Sequence, residues 1–167
     1  MRKILSLVLV LACLLALAVP AAAAKEPDLQ SLVNGSAKYM LSAVQKPEHA
    51  DVGGEWAVLG LARSGYTVPD GYFEGYLGRL EAYVKEKQGV LHKRKYTDYS
   101  RVIITLSALG VDARDVAGYD LLTPLGDYDK TIWQGLTGPI WALIALDSRN
   151  YPEPTPGIRQ KYRAFFY

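Results

Sequence analysis

The stretch GEWAVLGLARSG, residues 54–65, decides the fold, because as a helix it is apolar on nearly every side and its last glycine is placed to end it. A helix of this kind is expected to be buried. The pattern returns as ITLSALG at residues 104–110, which begins 45 residues after the LGLARSG portion at 59–65. A third copy, ALIALD at residues 142–147, follows after about 37 more, and periods of this size indicate stacked helical hairpins.

Amphipathic segments lie between these apolar ones. Residues 71–88, for example, carry apolar side chains at helical spacing on one face and charged side chains on the other. Nearly all-apolar helices interleaved with amphipathic ones suit an inner barrel that an outer ring of helices shields from water. We therefore predict an all-α protein with an (α/α) toroid, although an irregular helical bundle or an open array of hairpins would show similar spacing.

The last residues, AFFY at 164–167, are apolar and carry no polar tail. We therefore expect residues 25–167 to be an (α/α) toroid domain that is truncated at its C-terminus and holds the N-terminal portion of the ring. Further hairpins would then cover Phe165 and Phe166. Because an incomplete ring leaves apolar flanks in water, such a portion is expected to bind a hydrophobic dye or to self-associate.

The N-terminus has the pattern of a secretory signal peptide. Arg2 and Lys3 precede an apolar run over residues 4–19, and a proline and four alanines follow it at 20–24. We predict a signal peptide at residues 1–24 that is cleaved after Ala24, which makes the protein secreted or exposed at a bacterial cell surface, with no membrane span after cleavage. An uncleaved anchor and lipidation of Cys13 are the alternatives.

Charge and cysteine content exclude several classes of function. The 19 Lys and Arg include the two of the signal, so 17 remain against 17 Asp and Glu, and residues 25–167 are formally neutral. A neutral chain gives no electrostatic case for nucleic acid. The only cysteine, Cys13, lies in the signal, so the mature chain has no disulfide and no thiolate. We expect no metal and no cofactor.

Four segments resemble a known family. Residues 53–62, 96–101, 118–122 and 134–148 are similar to bacterial surface or secreted proteins described as prenyltransferase-like or squalene-cyclase-like, and the resemblance spans roughly residues 29–167. It implies the (α/α) toroid of terpene cyclases, protein prenyltransferase β-subunits and cobalamin carriers. It does not imply their chemistry, because one fold hosts many functions.

The catalytic groups of that family are missing from the chain. Zinc-dependent prenyl transfer needs Asp, Cys and His ligands, yet the mature chain has no cysteine and only His49 and His92. Cyclisation needs an acidic aspartate cluster, which neither Asp127 with Asp129 nor the stretch 112–115 reproduces. We therefore predict no catalytic residues and a non-catalytic module that binds a ligand or partner at the cell surface. The alternatives are a cyclase-type or prenyltransferase-type enzyme whose catalytic half lies elsewhere, and a structural repeat segment of a larger surface protein.

Aromatic and charged side chains near the helix starts are the candidate ligand contacts. Aromatic faces bind flat or apolar ligands. The candidate ligands are therefore a small hydrophobic molecule, a cobalamin-like molecule, a glycan and a protein partner, and the sequence does not choose among them. The competing interpretation gives these residues structural roles. The aromatic residues then belong to the core, Asp98 and Arg101 form a capping pair, and Glu55 is an ordinary acidic residue in the first turn of a helix. The candidate binding residues are Trp56, Tyr99, Trp133, Trp141, Glu55, Asp98 and Arg101.

Overall fold

The structure is a computed structural model that describes residues 28–51 and 53–167. The predicted signal peptide at residues 1–24 lies outside the described residues. Residues Val33–Tyr167 form one compact unit, and the packing described below concerns that unit. No helix in the described part of the chain is long and apolar enough to cross a membrane.

The described residues fold into seven α-helices and one short 3-10 helix, with no strand among them. The prediction of an all-α protein is confirmed, and each of the three apolar repeat segments lies in a helix. The α-helices are α1 (Leu29–Ala43), α2 (Gly54–Ser64), α3 (Tyr72–Glu86), α4 (Thr97–Ala108), α5 (Tyr128–Ile132), α6 (Thr137–Asp147) and α7 (Ile158–Ala164), and the 3-10 helix is Thr123–Gly126.

Glycines in the left-handed region mark four helix boundaries, of which the sequence predicted the two at Gly65 and Gly110. Gly65 follows α2 with φ of 70°, and Gly110 lies just after α4 with φ of 77°. Gly71 and Gly157 precede α3 and α7 with φ of 80° and 74°. Residues with a Cβ rarely adopt this conformation, so these glycines help to fix where α3 and α7 start and where α2 and α4 stop.

Helix α4 lies at the centre of the unit. It packs against α2 on one side and α6 on the other, and it also contacts the 3-10 helix, while α6 contacts α5 and α7. Its residues from Asp98 to Leu106 are buried except for Arg101, which is partly exposed. The three helices with the apolar repeats therefore pack in the order in which they occur in the sequence: α2 against α4, and α4 against α6.

Helices α4 and α6 run parallel, because contacts join both pairs of ends. At the N-terminal ends, Gln134 Oε1 accepts hydrogen bonds from the Thr97 N–H and hydroxyl, each at 3.1 Å. At the C-terminal ends, the hydroxyls of Ser107 and Ser148 are 2.8 Å apart. The two helices therefore lie side by side over their whole length.

The shorter C-terminal elements are held by buried hydroxyls. The Tyr162 hydroxyl of α7 donates to the Leu125 carbonyl oxygen and lies 3.0 Å from the Thr131 hydroxyl of α5. Burial raises the pKa of Tyr162 to about 12, so the hydroxyl keeps its proton at neutral pH. These bonds connect α5, α7 and the 3-10 helix into one corner of the unit.

The structure differs from the sequence prediction at α6. An apolar pattern on all sides predicted full burial, yet Leu136, Ile140 and Ile144 are 58%, 41% and 44% exposed. The opposite face, with Ala142, Ala145 and Leu146, is fully buried. Only one side of this helix has a packing partner within the described unit.

Candidate functional site

The first turns of α2 and α4 meet through charged side chains, and residues before α6 join them. Glu55 of α2 contacts Arg101 of α4, and Gln134, just before α6, binds Thr97 at the start of α4. Most of the candidate residues predicted from the sequence belong to these first turns. The candidate site therefore lies where the three apolar helices begin.

Glu55 is fully buried and its carboxylate accepts hydrogen bonds from three donors. Oε1 accepts from His49 Nδ1 at 2.7 Å and from the Ala50 N–H at 3.1 Å, and Oε2 accepts from Arg101 Nε at 3.1 Å. Burial raises the pKa of Glu55, but the hydrogen bond from His49, the charge of Arg101 and the Ala50 N–H together outweigh it and lower that pKa below the ordinary value. Glu55 is therefore ionised at neutral pH.

Arg101 joins a second carboxylate to the first. Its Nη2 lies 3.2 Å from Asp98 Oδ1, an i, i+3 pair on α4, while its Nε binds Glu55. The Thr105 hydroxyl, one turn further along α4, lies 3.3 Å from the Glu55 carbonyl oxygen. We refer to His49, Glu55, Asp98 and Arg101 as the Glu55 cluster.

Three buried polar atoms have no hydrogen-bond partner among the described residues: His49 Nε2 in the Glu55 cluster, the Tyr76 hydroxyl, which is close enough to feel the charge of Glu55, and the Ser100 hydroxyl of α4. Burial and the negative charge of Glu55 raise the pKa of Tyr76 far above its ordinary value, so its hydroxyl stays neutral. Because the Glu55 carboxylate can only accept, His49 Nδ1 must be the donor. His49 also packs against Tyr83, with ring centroids 4.7 Å apart.

Two tryptophans meet beside the cluster. The rings of Trp56 on α2 and Trp141 on α6 are 5.2 Å apart and tilted by 53°. Trp56 remains 40% exposed, so the pair is not part of the closed core. Trp133, which is 56% exposed, lies elsewhere, under the guanidinium of Arg94 at 4.1 Å from its ring centroid. That distance is typical of a cation–π contact.

A pocket of about 640 Å3 opens beside the start of α4. Three of its walls are tyrosine rings, Tyr96, Tyr99 and Tyr119, of which the first two are in edge contact at 5.3 Å. The Tyr99 hydroxyl accepts a hydrogen bond from the Leu91 N–H at 3.1 Å, which fixes the ring. Polar groups complete the wall: Gln88, His92, Lys93, Asp120, Thr123, Asp127 and Lys130. We refer to this as the tyrosine pocket.

Two charged residues of the tyrosine pocket, Asp127 and Lys130, form an ion pair with each other. Lys130 Nζ lies 3.1 Å from Asp127 Oδ2 and 5.9 Å from the centroid of Tyr96. Asp127 also caps α5, because its Oδ1 accepts from the Lys130 N–H at 3.1 Å. This hydrogen bond and the Lys130 charge outweigh partial burial and lower the pKa of Asp127. The pocket therefore presents fixed charges next to aromatic faces.

The structure brings together most of the predicted binding residues, in two groups. Glu55, Asp98 and Arg101 form one ion-pair network, and Trp56 and Trp141 contact each other. Tyr99 lies in the tyrosine pocket, and Trp133 lies apart from the other tryptophans. Their role in binding stays a prediction.

Sequence reasoning did not find three residues of these sites: His49, Tyr96 and Tyr119. His49 lies in the loop before α2, yet its side chain is only 2% exposed. No signal in the pattern marks a loop histidine as buried. Tyr96 immediately precedes the helix that carries Tyr99, and that proximity was the available hint for the pocket.

Comparison with models of protein families, with curated proteins and with solved structures gave no match. Within residues 28–51 and 53–167, no group of three or more His, Cys, Asp or Glu side chains is arranged to hold a metal ion. The described residues thus define a helical domain with a buried ion-pair cluster, an exposed tryptophan pair and a tyrosine-lined pocket.

Proposed function

We propose that the chain is an exported, non-catalytic module of the (α/α) toroid type that binds a ligand at the cell surface, and that the tyrosine pocket is its binding site. The observation that carries the proposal is a pocket of about 640 Å3 lined by three tyrosine rings. Sites for small molecules commonly enclose about 300–1,000 Å3 and combine aromatic walls with a few fixed polar groups.

The packing of the repeats supports the toroid part of the proposal. In a toroid the inner helices are parallel neighbours, and α4 and α6 are parallel while α2, α4 and α6 pack in sequence order. Helix α3 has the amphipathic character of an outer helix, since Tyr76, Leu80 and Val84 are buried and Glu74 and Glu81 are exposed.

The ligand we propose is saccharide-like. Sugars present apolar ring faces, which pack on tyrosine, and hydroxyls, which bind carboxylates and amines. Asp120, Asp127 and Lys130 are close to the tyrosine rings in the same pocket. An isoprenoid would bind more tightly to walls without these fixed charges. Each polar group that the isoprenoid covered would lose its hydrogen bonds to water, which costs free energy.

The acidity of the carboxylates supports a non-catalytic role. A cyclase acid has to hold a proton until it meets its substrate, which requires a raised pKa. Hydrogen bonds from the Arg114 side chain and N–H instead lower the pKa of Asp112 to about 2, and the pKa of Asp127 and that of Glu55 are also lowered. These three carboxylates are ionised at neutral pH.

The binding prediction is tested by calorimetric titration of the protein with soluble cell-wall saccharides. We expect saturable binding that Tyr119→Ala weakens by about tenfold, because loss of one stacked ring costs about 1.4 kcal/mol. Tyr119→Phe keeps the ring face and is expected to retain binding. Tyr39→Ala, at a tyrosine that is 74% exposed on α1 and outside the pocket, is the matched control.

Other outcomes would replace the proposal. Binding of a polyprenyl compound or a corrinoid instead of saccharides would overturn the ligand class, and turnover of a polyprenyl substrate would establish the enzyme alternative. A protein that binds none of these compounds would favour the structural repeat segment.

Export is tested separately from binding. Expressed in a bacterial host, the protein is expected outside the cytoplasm with Lys25 as its first residue, because the pattern at residues 1–24 directs secretion and cleavage. Mass spectrometry of the secreted fraction measures this, and a variant with Arg2→Glu and Lys3→Glu is expected to lower secretion. Full-length protein in the cytoplasm, or a lipid on Cys13, would reject the prediction.

A further inference from the structure

Helix α6 carries an unpartnered apolar face. Leu136, which directly precedes the helix, and Ile140 and Ile144 within it recur at intervals of four residues and therefore share one side. Each is more than two-fifths exposed, while Ala142 and Ala145 on the other side are fully buried. We refer to Leu136, Ile140 and Ile144 as the outer face of α6.

The tryptophan pair extends this apolar surface. Trp141 is partly exposed on α6 and contacts Trp56, which is 40% exposed. With about half of each side chain exposed, the surface amounts to several hundred Å2, on the order of the largest apolar patches that soluble monomers leave uncovered. A stable complex buries about 800 Å2 on each partner, so this surface would supply roughly half of one interface.

Charge indicates what covers the outer face. Residues 25–167 carry 17 basic and 17 acidic side chains, so two copies of the chain do not repel each other through net charge. The outer face itself has no charged member, and an uncharged apolar stripe is complementary to itself. A second copy can therefore cover it without burying an unpaired charge, as a two-fold interface requires.

The charges at the two ends of the stripe set the orientation. Arg94 lies over Trp133 before the stripe, and Asp147 lies at its end with a side chain that is 58% exposed. Asp147 Oδ1 accepts from Arg159 Nε at 3.0 Å, which leaves its other carboxylate oxygen available to a second cation. Antiparallel pairing places the Arg94 end of one copy at the Asp147 end of the other, whereas parallel pairing would place like charges together.

We propose that the outer face of α6 is a self-association surface, on which α6 of a second copy packs antiparallel about a two-fold axis near Ile140. This proposal does not rest on the proposed function, because the tyrosine pocket contains no residue of the outer face. Its test measures mass and cross-linking, which ligand binding does not affect.

Sedimentation velocity of the purified full chain tests the proposal over about 1–100 μM, the range of weak dimers. We expect a concentration-dependent dimer, and we expect the double variant Ile140→Glu, Ile144→Glu to weaken it at least tenfold while circular dichroism shows an unchanged helix content. Val90→Glu introduces the same charge at an apolar residue that is 44% exposed and off the outer face, and is expected to dimerise like the parent chain. A monomer throughout this range overturns the proposal, even if it binds a hydrophobic dye.

Disulfide cross-linking tests the orientation. In a background with Cys13→Ser, we expect Ile140→Cys to cross-link to itself, and a mixture of Leu136→Cys with Ile144→Cys to form the heterodimer. Cross-linking of Leu136→Cys to itself would show parallel pairing and overturn the antiparallel arrangement. Association that the glutamate variants leave unchanged would show that the interface lies elsewhere and would overturn the whole proposal.

Discussion

Replacement of Glu55 by glutamine is expected to lower the free energy of unfolding by about 3–5 kcal/mol, the usual cost of breaking a buried ion pair from one side. The carboxylate is fully buried and accepts from His49, Ala50 and Arg101. An amide of the same size keeps the packing but offers one oxygen in place of two and brings its NH2 towards donors. Arg101 then loses half of its anionic partners.

Urea denaturation followed by circular dichroism measures this change. Glu74→Gln is the matched control, because Glu74 is also a first-turn acid but is exposed on α3, and its replacement is expected to change stability by less than about 0.5 kcal/mol. Equal effects of the two substitutions would show that the Glu55 cluster is open to water in solution.

The same carboxylate makes stability depend on pH in a defined direction. The pKa of Glu55 is lower in the folded protein than the ordinary value of 4.5, so the unfolded chain takes up a proton first as the pH falls. Its contribution is therefore complete above pH 4.5 and is lost as the pH falls from 4.5 through the folded pKa. Repeating the denaturation between about pH 6 and 3 should show a smaller loss for Glu55→Gln than for the parent chain.

The sequence identified three of the four members of the Glu55 cluster, Glu55, Asp98 and Arg101, but not the contacts that connect them. Glu55 and Arg101 lie on different helices, α2 and α4, and nothing in the spacing of either helix shows that their side chains meet. The i, i+3 spacing of Asp98 and Arg101 is local, and that pair is found as predicted. Asp98 does not cap the helix, however, because α4 already begins at Thr97. Contacts within one helix could be predicted, and contacts between helices could not.

The sequence pattern did not show which face of a helix is buried where the helix has few polar residues. Helix α6 has almost no polar residue to mark a solvent side, so its periodicity could not show which face is buried. For α7, Thr155 and Pro156 are residue types that favour a helix cap and a first helical turn, and they predict a start at these residues. The structure starts it after Gly157 instead, where the Glu153 carboxylate accepts from the N–H groups of Gly157 and Arg159. A cap from an acid that precedes the turn has no strong sequence signature.

The sequence also could not show where two backbone segments approach each other closely. One such place gives the second large effect on stability. A methyl group on Gly138, in the first turn of α6, would lie well inside contact distance of the Thr131 carbonyl oxygen of α5. Gly54 has the same relation to the Glu48 carbonyl oxygen at the start of α2. In both places a helix begins against the backbone of the preceding segment.

Gly138→Ala is expected to lower the free energy of unfolding by about 3 kcal/mol, at the upper end of the cost of overpacking. The obstacle is a backbone carbonyl, which can move only if α5 shifts away from α6. Gly78→Ala is the matched control: Gly78 also lies within a helix, α3, but nothing stands within 4 Å of its missing methyl group. There alanine is expected to stabilise the protein by about 0.5–1 kcal/mol, because glycine is the poorer helix former. Urea denaturation of both variants therefore gives shifts of opposite sign, and a stabilising Gly138→Ala would show that α5 and α6 are not in close contact in solution.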